Sequence, residues 1–197
     1  MTIVLASGSK ARRAILEAAG VAVVVDLAAI DERAVKASLA SEGVPPGEVA
    51  VHLAQIKAER ISARHPGLIV IGADQLMECE GRCFDKPVDA GEARGQLMQL
   101  RGKPHHLHTS LVALRDGQRL WHHTSQAVLT MRDFSNMFLD QYLGGIGSSA
   151  LESVGAYQLE GHGAQLFSRI EGDYFAILGL PLLPLLEFLR LQGELPA

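Results

Sequence analysis

The stretch Ile3-Val4-Leu5-Ala6-Ser7-Gly8-Ser9-Lys10-Ala11-Arg12-Arg13 decides how the chain is read. An apolar run stops at small polar residues, and residues 10–19 then carry helix-forming composition. Strand, Ser-Gly-Ser loop and helix is the simplest parse. Working outward, the β-branched run Val21–Val25 reads as a second strand. Residues 48–64 place Val51, Ala54, Ala58 and Ile61 on one helical face. Pro66-Gly67 breaks the chain before Leu68-Ile69-Val70-Ile71, a fully apolar run that suits a buried strand. That strand is expected to end at Gly72-Ala73-Asp74, where an α/β sheet presents polar groups to a ligand. Further along, residues 90–100 read as a helix, and residues 106–114 and 119–131 as two strands around the turn Asp116-Gly117. A helix over 135–143, a glycine-rich connection over 144–149, a late strand over 174–178 and a closing helix over 182–191 after Pro181 complete the pattern. This mixture implies an α/β or α+β sheet protein, and neither a bundle nor a sandwich.

The chain has 197 residues, which suggests a single domain spanning 1–197. A chain of this size buries about 70% of its unfolded surface, enough to hold a core without disulfides. Lys and Arg total 18 against 22 Asp and Glu, a net charge of −4, and only 5% of residues are aromatic. That balance supplies neither the basic footprint nor the stacking surface of a nucleic-acid binder. The apolar runs are too short to cross a bilayer. Cys79 and Cys83 do not make a four-ligand zinc set and read as reduced thiols. Met1-Thr2-Ile3-Val4-Leu5 has no basic leader, and its apolar run stops at Ser7-Gly8-Ser9, so a cytoplasmic protein is expected.

Several residues could carry chemistry. Small residues between a strand and a helix leave backbone N–H groups free, so Ser7–Arg13 is a phosphate cradle or else a helix cap with a solvated basic turn. It lacks the spacing of a Walker A loop. Asp74, at the end of a buried strand, is costly without a partner or metal; it is a catalytic candidate or a cap. Glu32, Lys57 and Lys86 are single charges in apolar or loop contexts, a pattern that surface charges share. His105, His106, His108, His122 and His123 cluster in the hairpin strands without metal-site spacing and read as solvated or core-edge imidazoles. Gly161-His162-Gly163 lacks the rest of a dinucleotide fingerprint and reads as a turn.

The order and spacing of these segments resemble the Maf family of nucleoside triphosphate pyrophosphatases over nearly the full chain. Leu5-Ala6-Ser7-Gly8-Ser9 with Arg12-Arg13 looks like the family's opening loop, and Ile30-Asp31-Glu32 its acidic segment. Leu53-Ala54-Gln55-Ile56-Lys57-Ala58 looks like its lysine helix and Ile71-Gly72-Ala73-Asp74 its central motif. Lys86-Pro87, Leu100-Arg101-Gly102, His108-Thr109, residues 155–161, Gly172-Asp173-Tyr174 and Gly179-Leu180-Pro181 follow in order. The resemblance implies a Maf/ITPase-like fold: a mixed twisted sheet with flanking helices, in two lobes with the active cleft between them. It implies hydrolysis of a nucleoside triphosphate to the monophosphate and pyrophosphate, with water attacking the α-phosphorus. Asp74, Glu32, Lys57 and Lys86 are then catalytic, with Asp74 activating the water. Ser7, Ser9, Arg12, Gln75 and Glu160 contact substrate. Arg12, Lys57 and Lys86 would neutralise phosphate charge, and Glu32 and Asp74 would hold a divalent ion, Mg²⁺ with Mn²⁺ as the alternative. Whether Asp74 takes the proton or holds the metal stays open.

The departures bear on the substrate. The family's Ser-Pro-Arg-Arg becomes Ser9-Lys10-Ala11-Arg12-Arg13, and Arg12 takes the place of its second arginine. Members acting on dTTP and UTP resemble one another in Thr and Gln where this chain has Gln75 and Glu160. The pair here looks like the 7-methyl-GTP subfamily, which has Trp in place of Ala11. A carboxylate can accept from the N1–H and N2–H₂ edge of guanine, so Glu160 favours a guanine-type or modified base. Loss of the Trp removes a stacking platform worth about 1–3 kcal/mol in other base sites. Two further readings are a dTTP/UTP-specific pyrophosphatase and a nucleotide-binding regulator of cell division without turnover. The presence of Glu32, Lys57, Asp74 and Lys86 together argues against the regulator, since a pure binder needs the cations more than the carboxylates. The expected partner is the triphosphate substrate, with neither nucleic acid nor membrane. The apolar run Leu182-Leu183-Pro184-Leu185-Leu186 suits a homodimer contact and core burial equally.

Overall fold

The computed structural model describes residues 2–196. In chain order the elements are β1 (Thr2–Ala6), α1 (Lys10–Ala18), β2 (Ala22–Val25), α2 (Glu32–Ser41), α3 (Pro46–Ser62), β3 (Val70–Cys79), β4 (Arg82–Phe84) and α4 (Ala90–Leu100). They continue with β5 (Pro104–Arg115), β6 (Gln118–Met131), α5 (Asn136–Ile146), 3₁₀ turns at Gly147–Leu151, Val154–Ala156 and His162–Leu166, then β7 (Phe167–Glu171), α6 (Tyr174–Ile177) and α7 (Leu182–Leu191). The strands form a seven-stranded mixed sheet of order β2-β1-β3-β5-β6-β7, with β4 paired to β3. β1 runs parallel to β2 and β3, whereas β4 and β7 join antiparallel. The chain divides into two compact units. The first holds the residues up to Gln75, His108–Gln126 and those from Asp173 onward; the second holds Leu76–Leu107 and Ala127–Gly172.

In the first unit β1, the start of β3 and the middle of β5 are apolar on both faces because helices cover both. Side chains alternate across a strand with period two. One set (Ile3, Leu5, Ile69, Ile71, Leu111, Ala113) packs with Leu16 of α1 and Leu185, Phe188 and Leu189 of α7. The other set (Val4, Ala6, Val70, Val112, Leu114) packs with Ala54, Ala58 and Ile61 of α3. Gly72 shares the face of Val70 and meets α3 at its closest point. A Cβ there would overlap the Ala54 carbonyl oxygen and stand 2.9 Å from its carbon and 3.0 Å from Ala58 Cβ.

In the second unit β3 turns into β4 through Glu80 and Gly81, whose φ values of 52° and 79° fit a tight hairpin. His105 is fully buried there, with its Nε2 2.9 Å from Tyr157 Oη, and burial pushes its pKa down to about 4. His106 Nδ1 lies 3.1 Å from Glu78 Oε2. Cys79 is buried, Cys83 is exposed, and neither forms a disulfide.

The β5–β6 hairpin turns at Asp116 and Gly117 as its sequence predicts, with φ of 51° and 75°. Three expectations are corrected. β3 does not end at Asp74 but continues to Cys79, because Asp74 is paired with Lys57 of α3 and the buried Leu76 and Met77 extend the apolar strand. Residues 174–177 are a helical turn rather than a strand: Asp173 Oδ1 accepts from Ala176 N at 2.7 Å and caps it. The glycine-rich stretch over 144–149 is not an open connection, since α5 runs to Ile146 and a 3₁₀ turn follows. No helix among the described residues is long and apolar enough to cross a membrane.

Glycine has opposite meanings at two positions. Gly72→Ala is expected to destabilise the protein by about 1–3 kcal/mol through overpacking against backbone. Gly95→Ala, inside α4 with nothing within 4 Å of a new Cβ, is expected to stabilise it by about 0.5–1 kcal/mol. Urea midpoints at unchanged m-value read both.

Candidate active site

Two periodicities bring the central charges together. Asp74 follows Gly72 by two residues and so shares the strand face that looks at α3. Lys57 lies three residues after Ala54 on that helix, next to the buried Ala58. Its Nζ stands 2.5 Å from Asp74 Oδ1 and 2.9 Å from Glu32 Oε1. The Lys57 and Asp74 side chains are buried, and that of Glu32 is 43% exposed.

Glu32 opens α2, whose cap is Asp31 accepting from Ala34 N at 3.0 Å. The preceding loop is tied down by the end of α3 and the turn after it. Arg60 donates to Ala29 O, and Asp26 accepts from Arg64 at 3.0 Å and lies 2.9 Å from His65 Nε2. These contacts bring a residue that is distant in sequence to the far side of Lys57.

Arg12 is buried in α1. Its Nε donates to Gly179 O at 2.7 Å, and its Nη1 donates to Ser7 Oγ at 2.8 Å and Ala73 O at 3.0 Å. Gly179 has φ +96°, and a Cβ there would crowd Arg12 Nε at 3.2 Å. Ser9 caps α1 by accepting from Arg12 N at 3.3 Å. Ser7 Oγ is an acceptor in both its contacts, with Arg12 and with Ser9 N, which leaves its O–H to donate. The cap is therefore realised, but the turn is not wholly solvated, since Arg12 is buried; the cap leaves room for the phosphate reading.

Burial pushes the Asp74 carboxyl above its ordinary 3.8, against the pull of Lys57 and Arg12. Glu32 moves the other way. Burial favours its neutral form, but the Lys57 charge and hydrogen bond, with Lys36 and Arg12 behind them, hold it below its ordinary 4.5. Asp74 Oδ2 is buried and has no hydrogen-bond partner. A buried carboxylate oxygen left bare is costly, so this atom fits a water, a proton in transfer, or a hard cation. Among the described residues no group of three His, Cys, Asp or Glu side chains could hold a metal. A Mg²⁺ ion needs no such cage, because it keeps waters and takes phosphate oxygens alongside one or two carboxylates. Glu32 and Asp74 fit that role.

Gln75 is half-buried beside Asp74. Its Nε2 donates to Thr109 Oγ1 at 2.7 Å, Ala176 O at 3.0 Å and Ile177 O at 3.1 Å. Two of these partners are carbonyls, which only accept, so the amide NH₂ must face them and Oε1 is the end left for a ligand. Lys86 and Glu160 are exposed and belong to the second unit. The first unit thus brings together Ser7, Arg12, Glu32, Lys57 and Asp74, with Ser9 and Gln75 adjoining. Gly179 and Thr109 lay within segments that the sequence singles out, but nothing local told that their oxygens seat Arg12 and Gln75.

A three-layer α/β unit with a buried Lys–Asp pair at a bare carboxylate oxygen describes a class of enzyme-like site. Residues 2–192 match the model of the family described as Maf-like protein. The chain is 59% identical to a nucleoside triphosphate pyrophosphatase of Paramagnetospirillum magneticum, covering 97% of this chain and 98% of the relative. It is 55% identical to a protein of the same name from Granulibacter bethesdensis, covering 96% of both. A 7-methyl-GTP pyrophosphatase of Rhizobium etli is 50% identical over 98% of this chain and 97% of that protein. The chain belongs to the Maf-like family.

Lys57→Met is expected to cost about 3–5 kcal/mol at pH 8, because it leaves Asp74 buried without its cation. Removing Lys57 raises the Asp74 carboxyl further above its unfolded value. The folded state then holds that proton more tightly than the unfolded one, and stability falls as pH rises through the window above 3.8. Denaturation at pH 5 and pH 8 checks the sign: the variant's deficit should be larger at pH 8.

Proposed function

We propose that the centre built by Lys57, Asp74, Glu32 and Arg12 cleaves a guanine-type or modified nucleoside triphosphate between its α- and β-phosphates. The chain is a nucleoside triphosphate pyrophosphatase, a hydrolase acting on acid anhydrides; this reaction class follows from its family and from the names of its full-length relatives. The observation that carries the assignment of the centre is Asp74 Oδ2, a bare acceptor on a carboxyl whose proton affinity burial has raised.

In this reading Asp74 takes the proton from the water that attacks the α-phosphorus. An ordinary aspartate is a weak base, and the raised value brings it closer to the operating pH. Lys57 fixes the carboxylate by its contact to Oδ1, leaving Oδ2 to face the water, and its second contact keeps Glu32 in place. Arg12 holds the Ser7 loop and the Ala73 carbonyl, and so sets the strand on which Asp74 stands.

Charge also has to be met. A triphosphate brings about four negative charges, while Arg12 and Lys57 are already offset by Asp74 and Glu32. With Asp74 Oδ2 given to the water, Glu32 would hold Mg²⁺, with Mn²⁺ as the alternative, and the ion would supply positive charge against the phosphate oxygens. Lys86, exposed in the second unit, is the further cation that the family resemblance assigns to the phosphates. Gln75 Oε1 and the Glu160 carboxylate both accept, which suits the donor edge of guanine or 7-methylguanine.

Pyrophosphate release from a panel of triphosphates with Mg²⁺ tests this. GTP and 7-methyl-GTP are expected to be turned over in preference to UTP and dTTP; the reverse order would remove Gln75 and Glu160 as base readers. Asp74→Asn is expected to lower turnover by about 10²–10⁴-fold while a non-hydrolysable triphosphate still binds. Unchanged turnover would end the role given to Asp74. With the parent enzyme, kcat/KM should rise with pH along an acidic limb displaced above 3.8, because the base must first lose its proton.

A further inference from the structure

Gln75 and Thr109 form a polar pair at the end of an apolar face. Ile71 and Ala73 of β3 pack in one cluster with Leu111 and Ala113 of β5, and the two strands are neighbours in the sheet. Side chains two positions apart share a strand face, so Gln75 and Thr109 come next on it. Both residues belong to the first unit. Thr109 is only 1% exposed. At a position that serves packing alone, Val has the same shape and no hydroxyl to satisfy. What the hydroxyl adds is a bridge.

Thr109 Oγ1 accepts from Gln75 Nε2 at 2.7 Å and donates to Ala176 O at 2.9 Å. A hydroxyl has one proton, and here a carbonyl, which can only accept, takes it. Thr109 is thereby fixed as an acceptor toward Gln75. Two carbonyls also face Gln75 Nε2, Ala176 O at 3.0 Å and Ile177 O at 3.1 Å. Ala176 O is a crowded acceptor, since Gly179 N donates to it as well, at 2.9 Å. The short contact to Thr109 is the one that takes an N–H of Gln75 for itself. Turned end for end, the amide would set Oε1 against three acceptors. The turn that supplies both carbonyls is itself held, because Asp173 caps its start and Gly179 O accepts from Arg12 Nε at 2.7 Å.

We propose that Thr109 is a positioning residue for substrate choice: its hydroxyl, bridging Gln75 to the Ala176 carbonyl, holds the Gln75 amide so that a base meets Oε1. This rests on the reading of Gln75 as a residue that meets the base. Guanine sets two donors side by side, N1–H and N2–H₂, whereas uracil flanks its single N–H with two acceptors. An acceptor held in one orientation therefore favours the guanine edge. Without the hydroxyl, one N–H of the amide loses its partner, and the side chain turns to offer that N–H elsewhere.

The experiment is a double-mutant cycle on the full chain, with Thr109→Val, Gln75→Met and the two combined, and Thr109→Ser as the conservative variant. It reads kcat/KM for GTP, 7-methyl-GTP and UTP together with the thermal midpoint. Thr109→Val is expected to lower the ratio of kcat/KM for GTP over UTP about tenfold. Thr109→Ser keeps the hydroxyl and should hold the ratio within about twofold of the parent's. On the Gln75→Met background Thr109→Val should change the ratio less than about twofold, because no amide remains to be held. Equal losses for all three nucleotides with a lowered midpoint would make Thr109 a packing residue and overturn the proposal. A ratio that shifts as far on the Gln75→Met background as on the parent would overturn it too, because Thr109 would then act by another route. If Gln75→Met alone leaves the ratio unchanged, the role of Gln75 itself falls, and the proposal with it. If Gln75→Met lowers the ratio and Thr109→Val does not, only the proposal falls. Should Thr109→Val fail to fold, Thr109→Ala removes the same hydroxyl and is read the same way.

Discussion

Helix α3 touches strand β3 through the backbone of Gly72, and the candidate site depends on that contact. With no side chain between them, the Ala54 carbonyl comes so near the strand that a Cβ at 72 would overlap its oxygen. The next residue on that face, Asp74, then falls level with Lys57, whose ammonium reaches Asp74 and Glu32 together. A methyl group at 72 would push helix and strand apart where a 2.5 Å and a 2.9 Å contact have to be kept by the same nitrogen. Packing at one glycine thus becomes the geometry of a charge cluster.

That cluster is a poor way to stabilise a fold. Two ions taken out of water lose most of what their attraction returns, and well-packed apolar residues often do as well. Asp74 is additionally left with a bare oxygen and with its charged form disfavoured by burial. The arrangement makes sense as chemistry. Lys57 prevents the carboxylate from turning, Arg12 locks the loop and strand beside it, and burial gives the acid a stronger hold on a proton. Stability lies elsewhere in this unit, in the two apolar faces of its strands and the helices laid over them.

The two residues proposed to read the base are of one polarity. The three acceptors around Gln75 Nε2 consume its donor end, so the residue can offer a ligand only an oxygen. Glu160 is likewise an acceptor. In the function proposed above, an acceptor at either position would suit a base with donors on its edge. Full-length relatives carry both the general name and the 7-methyl-GTP name at similar identities.

The sequence alone determined the strands and helices whose signals are local. β1, α1 and the Asp116-Gly117 hairpin follow from hydrophobic runs, small-residue loops and a turn dipeptide, each decided within a few residues. The apolar stripe of α3 likewise announced its buried face. Where the outcome depends on a distant partner, the local pattern misleads. Asp74 looks like a strand end until Lys57 is known to sit against it, and 174–177 looks like a strand until Asp173 caps it. The charges themselves were legible as residue types and motifs, and the order of those motifs pointed to the family. Only the tertiary structure decided that Lys57 joins Asp74 and Glu32, that Gly179 seats Arg12, and that Gln75 spends its amide N–H groups on Thr109, Ala176 and Ile177. The reason is physical: a hydrogen bond between residues 17, 25 or 167 positions apart leaves no periodic trace in the chain, because each end satisfies only its own local rule.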